Sequence, residues 1–402
     1  MIKLRKGFSK GAQWINNNSA LNAFENAYGL INIFVIIGAF GNLIGKLLTN
    51  YLKVRKLGLF FTMIGNFSFD HLSLIMLILT SWFYAETIDK KAKNDIRKAV
   101  IISICIFIEF VPNGINIFNI YDFYEGLLFS ILVVNLYFQI KKQKIKKIKI
   151  KNIPSNNFHV LYDLLPVFML CGIFIFLKIL IGDNFSNMFY IAINIITKIV
   201  SSLPVILMVI MMQQLLWFWG LHGFGIIWKI IGWLWLPLFY ENIYKFSTTL
   251  SFKDISIAPN TIANTYAMIG GSGSTIGLVI ALLIICRKGS LGKKIGKEAL
   301  KSSLFAVNEP LIFGFPIVMN RIMLTPWLVA PIVNAIISYV VTRLGWVVPI
   351  TFINIGGEPI LVSTWILGGF RLSPVILTIV LILLDILIYI PFVVYSKKRG
   401  KI

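Results

Sequence analysis

Residues 302–321 read SSLFAVNEPLIFGFPIVMNR. The stretch is apolar enough to enter a membrane, yet Pro310, Pro316 and the polar pair Asn308–Glu309 interrupt it. Proline removes a backbone donor and breaks a helix. In lipid, broken backbone survives only where protein buries it or where it lines a wet cavity. A second stretch, 345–371 (GWVVPITFINIGGEPILVSTWILGGFR), has the same character, with Pro349, Pro359, Glu358 and several glycines. Both are expected to be re-entrant hairpins, the devices that place a substrate site at mid-membrane depth. The competing reading of each is an ordinary loop outside the membrane.

Outward from these stretches, the rest of the chain reads as a bilayer protein. Of 402 residues, 57% are of hydrophobic type and 13% are charged, and the mean hydropathy is +0.83. Soluble domains carry about a quarter charged residues, so a water-soluble enzyme is excluded. A spanning helix takes about 20 residues, which allows roughly ten spans. The net charge of +22 does not argue for nucleic acid, because no basic, aromatic-studded soluble segment exists to carry it. Cys105, Cys171 and Cys286 lie in apolar stretches without paired spacing, so neither a disulfide framework nor a zinc site is expected. Residues 1–20 lack the apolar core of a signal peptide, so the first span is expected to direct insertion.

Thirty of the 38 Lys and Arg fall in six segments: 3–10, 46–56, 90–98, 141–151, 287–301 and 397–401. Basic loops stay cytoplasmic. With the N-terminus inside, apolar stretches near 27–45, 57–88, 99–119, 121–140, 158–181, 189–211, 212–238, 262–286, 322–343 and 374–395 make ten crossings and return the C-terminus inside. The expected fold is therefore an all-α polytopic membrane protein with about ten transmembrane helices plus the two hairpins. Segment 46–56 breaks the rule by landing outside; either it is an interfacial helix with snorkelling lysines or one of the early spans is misassigned. The run KKQKIKKIKIK at 141–151 reads as a topology-setting loop attracted to anionic lipid, or as a docking surface for an acidic partner.

Glu109, Asp163, Lys178, His222, Glu241, Glu309, Glu358 and Asp385 lie in apolar surroundings, where an ionisable group costs about 2.5–3.5 kcal/mol at a helix centre unless paired or wetted. Glu309 beside Asn308 offers one carboxylate and one amide, both suited to sugar hydroxyls. His222 stands in QQLLWFWGLHGFG between Gly220 and Gly223, just after Trp217 and Trp219. Indole faces suit the C–H face of a pyranose, and a single histidine without clustered partners does not make a metal site. The run GGSGST at 270–275 precedes an apolar helix and no lysine follows it, so it reads as close helix packing rather than as a phosphate loop.

At these residues the sequence resembles a known family. VNEPLIFGFPIVMN (307–320) is similar to the signature of enzyme IIC, the membrane component of bacterial phosphotransferase systems (PTS) of the lactose/cellobiose/chitobiose group. WFWGLHG (217–223), IGGSGSTIGLVIALL (269–283) and LIYIPFVVY (387–395) agree in order and spacing. The resemblance implies a homodimeric permease in the bacterial cytoplasmic membrane. It would bind a disaccharide, move it across, and present it to a separate phosphorylated IIB protein that is recharged by IIA. The permease is not itself phosphorylated, carries no catalytic residue of its own and needs no cofactor or metal. By the same resemblance His222 and Glu309 hold the 6-hydroxyl region, Asn308 another hydroxyl, and Trp217 stacks on a ring. Glu358 is an added hydroxyl ligand or a hairpin-tip charge in water.

The implied organisation places the N-terminal part of the scaffold at 1–157, linking helices with WFWGLHG at 158–240, and the substrate-binding transport half at 241–402. Three residues depart from the family pattern: Arg321 where proline is usual, Glu25 where arginine is expected, and Glu358 where no carboxylate is expected. These departures leave the sugar open. They also keep two alternatives in view: an ion-coupled secondary sugar transporter using Glu109, Asp163 or Asp385, and a non-transporting sugar receptor.

Overall fold

The structure is a computed structural model that describes residues 2–110, 119–142, 155–181, 184–315, 317–353 and 357–399. Among the described residues it is helical throughout, with no strand. In chain order the helices are α1 (Ile2–Asn17), α2 (Ser19–Asn50), α3 (Arg55–Asp70), α4 (Leu72–Ile88), α5 (Lys93–Phe110), α6 (Ile120–Lys142), α7 (Ser155–Ile181), α8 (Asn184–Val200), α9 (Leu203–Phe218) and α10 (Gly223–Thr249). A π-helical turn, Thr261–Tyr266, follows, and then α11 (Ile276–Ile285), α12 (Leu291–Leu304), α13 (Glu309–Gly314), α14 (Arg321–Arg343), α15 (Ile360–Leu367) and α16 (Leu372–Lys398). Two compact units result, one of residues 16–196 and the other of 1–15 with 197–402.

The first unit begins with a close helical hairpin. Asn18 caps α2 by accepting from the Leu21 amide at 3.1 Å. The helix then runs to Asn50, where the chain turns back into α3. A side-chain carbon on Gly41 would sit 2.8 Å from the Gly65 nitrogen, and one on Gly65 would strike Asn42. The two backbones approach this closely because both positions lack a side chain, as small-residue helix contacts in membranes require. Basic segment 46–56 is thus the end of α2, a four-residue turn and the start of α3, not a separate interfacial helix. Helices α4 to α7 close around Leu77, Phe107, Phe110, Phe129, Tyr137 and Phe174. The Tyr137 hydroxyl donates to Asp95 at 3.2 Å.

Among the described residues, six helices are long and apolar enough to cross a membrane: α2, α6, the part of α7 from Leu164, α10, α14 and α16. The count reaches eight if α3 with α4, bent by 46°, and Asn187–Val200 with Leu203–Phe218 each act as one span. These six to eight stand against the ten that the charge pattern predicts. Stretch 99–119 is not among them: α5 ends at Phe110 and opens on Lys93, Asp95, Arg97 and Lys98, and residues 111–118 lie outside the described residues. Stretch 262–286 falls short because it is not one helix: a π-helical turn and a glycine-rich turn precede the ten residues of α11. The lysine-rich run lies, from residue 143 onward, outside the described residues.

In the second unit, Asn242 of α10 ties down the loop that follows, donating to Ser256 O at 2.7 Å and accepting from its amide at 3.2 Å. One core gathers Trp217, Leu278, Leu282, Leu311, Ile312, Phe315, Trp327 and Tyr389 from α9, α11, α13, α14 and α16 and from the residue just after α13. Basic segment 287–301 forms most of α12, which buries Ile295 and Ala299 and exposes Lys294, Lys297 and Lys301.

Candidate functional site

Stretch 302–321 is broken as its prolines predict. Helix α12 ends at Leu304, the chain turns through 305–308, and α13 lasts six residues with Pro310 in its first turn. Residues 317–320 are non-helical before α14 begins at Arg321, capped by Asn320, whose side chain accepts from the Ile322 amide at 3.0 Å. The described residues of 345–359 are likewise irregular before the short α15.

Asn308 is buried, and its amide donates to Ser272 O at 2.7 Å and to Thr275 Oγ1 at 3.0 Å. Thr275 in turn donates to Gly270 O at 2.9 Å. The partner of Asn308 is therefore the GGSGST turn. A side chain on Gly271 would lie 2.4 Å from the Asn308 amide carbon, and φ there is +106°. Only glycine satisfies both conditions. The sequence reading of this turn as close packing holds, but it missed that the packed group is the asparagine of the NEP motif. Asn308 spends its donors on the protein, which leaves only its carbonyl oxygen for a ligand.

Glu309, one residue on, is exposed and makes no hydrogen bond or ion pair among the described residues. The WFWGLHG motif abuts the same segment. Trp217 shares the core with Leu311, Ile312 and Phe315, and the Met319 amide donates to Phe218 O at 3.1 Å. The Trp217 ring is buried edge-on against His222, with centroids 4.8 Å apart, and its indole nitrogen has no partner. It therefore serves as a wall of the core more than as an open stacking platform.

His222 is exposed and caps α10, with Nδ1 accepting from the Gly225 amide at 3.0 Å. An acceptor nitrogen carries no proton, so the neutral ring bears its proton on Nε2. That N–H is a free donor. Gly223 permits the arrangement, because a side chain there would lie 2.0 Å from Gln213 O. Four predicted residues, Trp217, His222, Asn308 and Glu309, thus belong to elements that touch one another.

Glu358 belongs to the second irregular stretch. It is half-buried just before α15, its Oε2 is buried without a partner, and no hydrogen bond joins it to the other four among the described residues. Other ionisable candidates resolve differently. Lys178 pairs with Glu109 at 2.8 Å, and Glu241 with Lys245 at 2.9 Å, as structural ion pairs. Asp385 is fully buried and accepts from Ser274 and from Asn334 Nδ2 at 3.1 Å. Asn334 had no sequence signal beyond an amide inside an apolar helix.

These features define a class: a multi-pass, all-helical membrane protein with an exposed carboxylate and an imidazole donor beside broken backbone. The family described as phosphotransferase system, EIIC matches residues 28–331, and the chain belongs to it. The cellobiose-specific EIIC component of Lactococcus lactis is 29% identical over 213 residues, 48% of this chain and 43% of that protein. The oligo-beta-mannoside-specific EIIC component of Bacillus subtilis is 29% identical over 240 residues, 58% of this chain and 54% of that protein. The lactose-specific EIICB component of Streptococcus mutans is 28% identical over 287 residues, 67% of this chain and 48% of that protein. The chain thus spans about half the length of the curated relatives it matches. The crystal structure of ChbC, the IIC component of an N,N'-diacetylchitobiose-specific phosphotransferase system, shares its fold. The TM-score is 0.78 at 21% identity, covering 99% of this chain and 100% of that one.

Proposed function

We propose that this chain is a sugar permease that binds a β-linked disaccharide or related sugar, carries it across the bacterial cytoplasmic membrane and presents it to a separate phospho-IIB protein. The observation that carries the proposal is the abutment of the WFWGLHG and NEP segments, with His222 Nε2–H and the Glu309 carboxylate without protein partners among the described residues. A sugar hydroxyl is one donor and two acceptor lone pairs. Glu309 accepts from the 6-hydroxyl while His222 donates to its oxygen, which orients that oxygen toward an incoming phosphoryl group. Asn308 contributes its carbonyl oxygen to a second hydroxyl, Trp217 backs a ring, and Glu358 is a further hydroxyl ligand. The phosphoryl group leaves the IIB sulfur behind as a thiolate while the new bond forms at the sugar oxygen, whose proton passes to the Glu309 carboxylate. Positioning and electrostatics carry most such transfers.

The proposal includes ten crossings with re-entrant hairpins at 302–321 and 345–371, cytoplasmic termini and a homodimer. The scaffold is at 1–157, the linking helices at 158–240 and the transport half at 241–402. The exposed lysines of α12 form a docking face for IIB, itself recharged by IIA. Everted or intact vesicles test the proposal. Uptake should need phosphoenolpyruvate and IIB, should yield sugar phosphate and should survive an uncoupler. Uptake abolished by the uncoupler would instead assign an ion-coupled transporter, and binding without a phosphorylated product a receptor.

A further inference from the structure

The turn at 270–275 holds Asn308, and the structure shows what holds the turn. Gly270, Gly271, Gly273 and Ser274 all have positive φ, at +76°, +106°, +80° and +53°. A backbone of this kind is poorly supported by its own ladder and persists only where its surroundings over-determine it. The support comes from two helices. From α16, the Tyr389 hydroxyl donates to Gly273 O at 2.6 Å. One turn earlier on α16, Asp385 accepts from the Ser274 hydroxyl, and a side chain on Gly277 would lie 2.4 Å from Asp385 Cβ. From α14, Asn334 Nδ2 bridges Ser274 Oγ at 3.0 Å and both Asp385 oxygens at 3.1 Å. Asp385, Asn334, Ser274 and Tyr389 are all inaccessible to solvent.

We propose that Asp385 is a positioning residue for the sugar site, acting through Ser274 and the 270–275 turn on Asn308 and so on the adjacent Glu309. The inference rests on the reading of Asn308 and Glu309 as sugar ligands, but it deepens that reading by assigning a role to a carboxylate that touches no sugar. The chain of contacts is continuous: Asp385 to Ser274, the turn to Asn308 through Ser272 O and Thr275 Oγ1, and Asn308 to Glu309 by one peptide bond. A buried carboxylate whose donors are a hydroxyl and an amide is a strong, geometrically defined anchor.

Two readouts on the purified full chain test it. Hydrogen exchange is followed at 268–280 and 305–312, with α2 and α3 as internal reference, and binding is measured with labelled cellobiose, lactose and N,N'-diacetylchitobiose. Asp385→Ala should raise exchange in both segments while the reference stays as in wild type, and should weaken binding about tenfold. Asn308→Ala combined with Asp385→Ala should cost no more than the worse single change, because both act through one turn. Unchanged protection at 305–312, or binding losses that multiply, would overturn the proposal. If Asp385→Ala does not fold, Ser274→Gly removes the hydroxymethyl side chain that reaches Asp385 and suits the positive φ. It should give the same paired loss of protection, and undisturbed 305–312 would again overturn the proposal. If the wild type binds none of the three sugars while Asp385→Ala still raises exchange in both segments, these three are removed as ligands and the positioning role stands.

Discussion

The two irregular stretches of the second unit share a composition but are secured in opposite ways. Stretch 302–321 is anchored far along the chain: Asn308 to the turn at 272–275, and Met319 to Phe218 at the end of α9. In stretch 345–371 the hydrogen bonds of the loop go to its own vicinity, and its distant contacts are apolar or cation–π ones, Gly369 on Phe246 and Phe252 and Arg371 over Phe252. The amides of Thr351 and Phe352 both donate to Leu367 O, at 2.9 and 3.1 Å, and that of Val348 donates to Ser373 at 3.3 Å. Proline and glycine break a helix wherever they fall. What turns a break into a binding site is a set of distant anchors that fix the groups around it, because preorganised partners are what a ligand does not have to order itself.

The sharpest way to break this contrast is Gly271→Val. The new side chain meets Asn308 in a backbone conformation that β-branched residues avoid, so sugar binding and extracted yield should both collapse. Persistence of both in a detergent binding assay would show that the anchor is dispensable. Next comes Glu309→Gln, which removes a charge from an exposed, unpaired carboxylate. Sugar affinity should fall more than about tenfold while the melting temperature holds, because no protein contact is lost. Near-normal affinity by calorimetry would take this residue out of the site.

His222→Ala should lower sugar phosphorylation by more than it lowers yield, since the lost cap costs only about 1 kcal/mol. Parallel losses, read from solubilised protein against phosphorylated product, would leave His222 with a capping role alone. The smallest change is expected in the second stretch. Glu358→Gln should alter affinity by about threefold or less, as one partly buried member of the proposed ligand set. A loss as large as that of Glu309→Gln would place the two stretches on an equal footing.

Much of this was legible in advance for a definite reason. Runs of apolar residues report burial or lipid, and prolines report breaks, so the all-helical character and both interruptions at 302–321 and 345–371 could be read directly. Glu309 and His222 stood out because charge and imidazole are costly among apolar neighbours. Span counting was less secure, since 262–286 hides a π-helical turn and a tight turn that composition does not mark. Segment 46–56 read as an interfacial helix because a charged turn and a charged amphipathic helix have the same residues.

By itself, the sequence determined class, helical content and the places where the backbone must break, because these depend on local chemistry and on the absence of water in lipid. The tertiary structure alone decided that Asn308 faces the protein while Glu309 faces outward. It alone also decided that Gly41 meets Gly65 and that Asp385 reaches Ser274 across 111 residues. Such pairings are set by which backbones come within contact distance, and nothing in the spacing of residues along one helix states which other helix will lie against it.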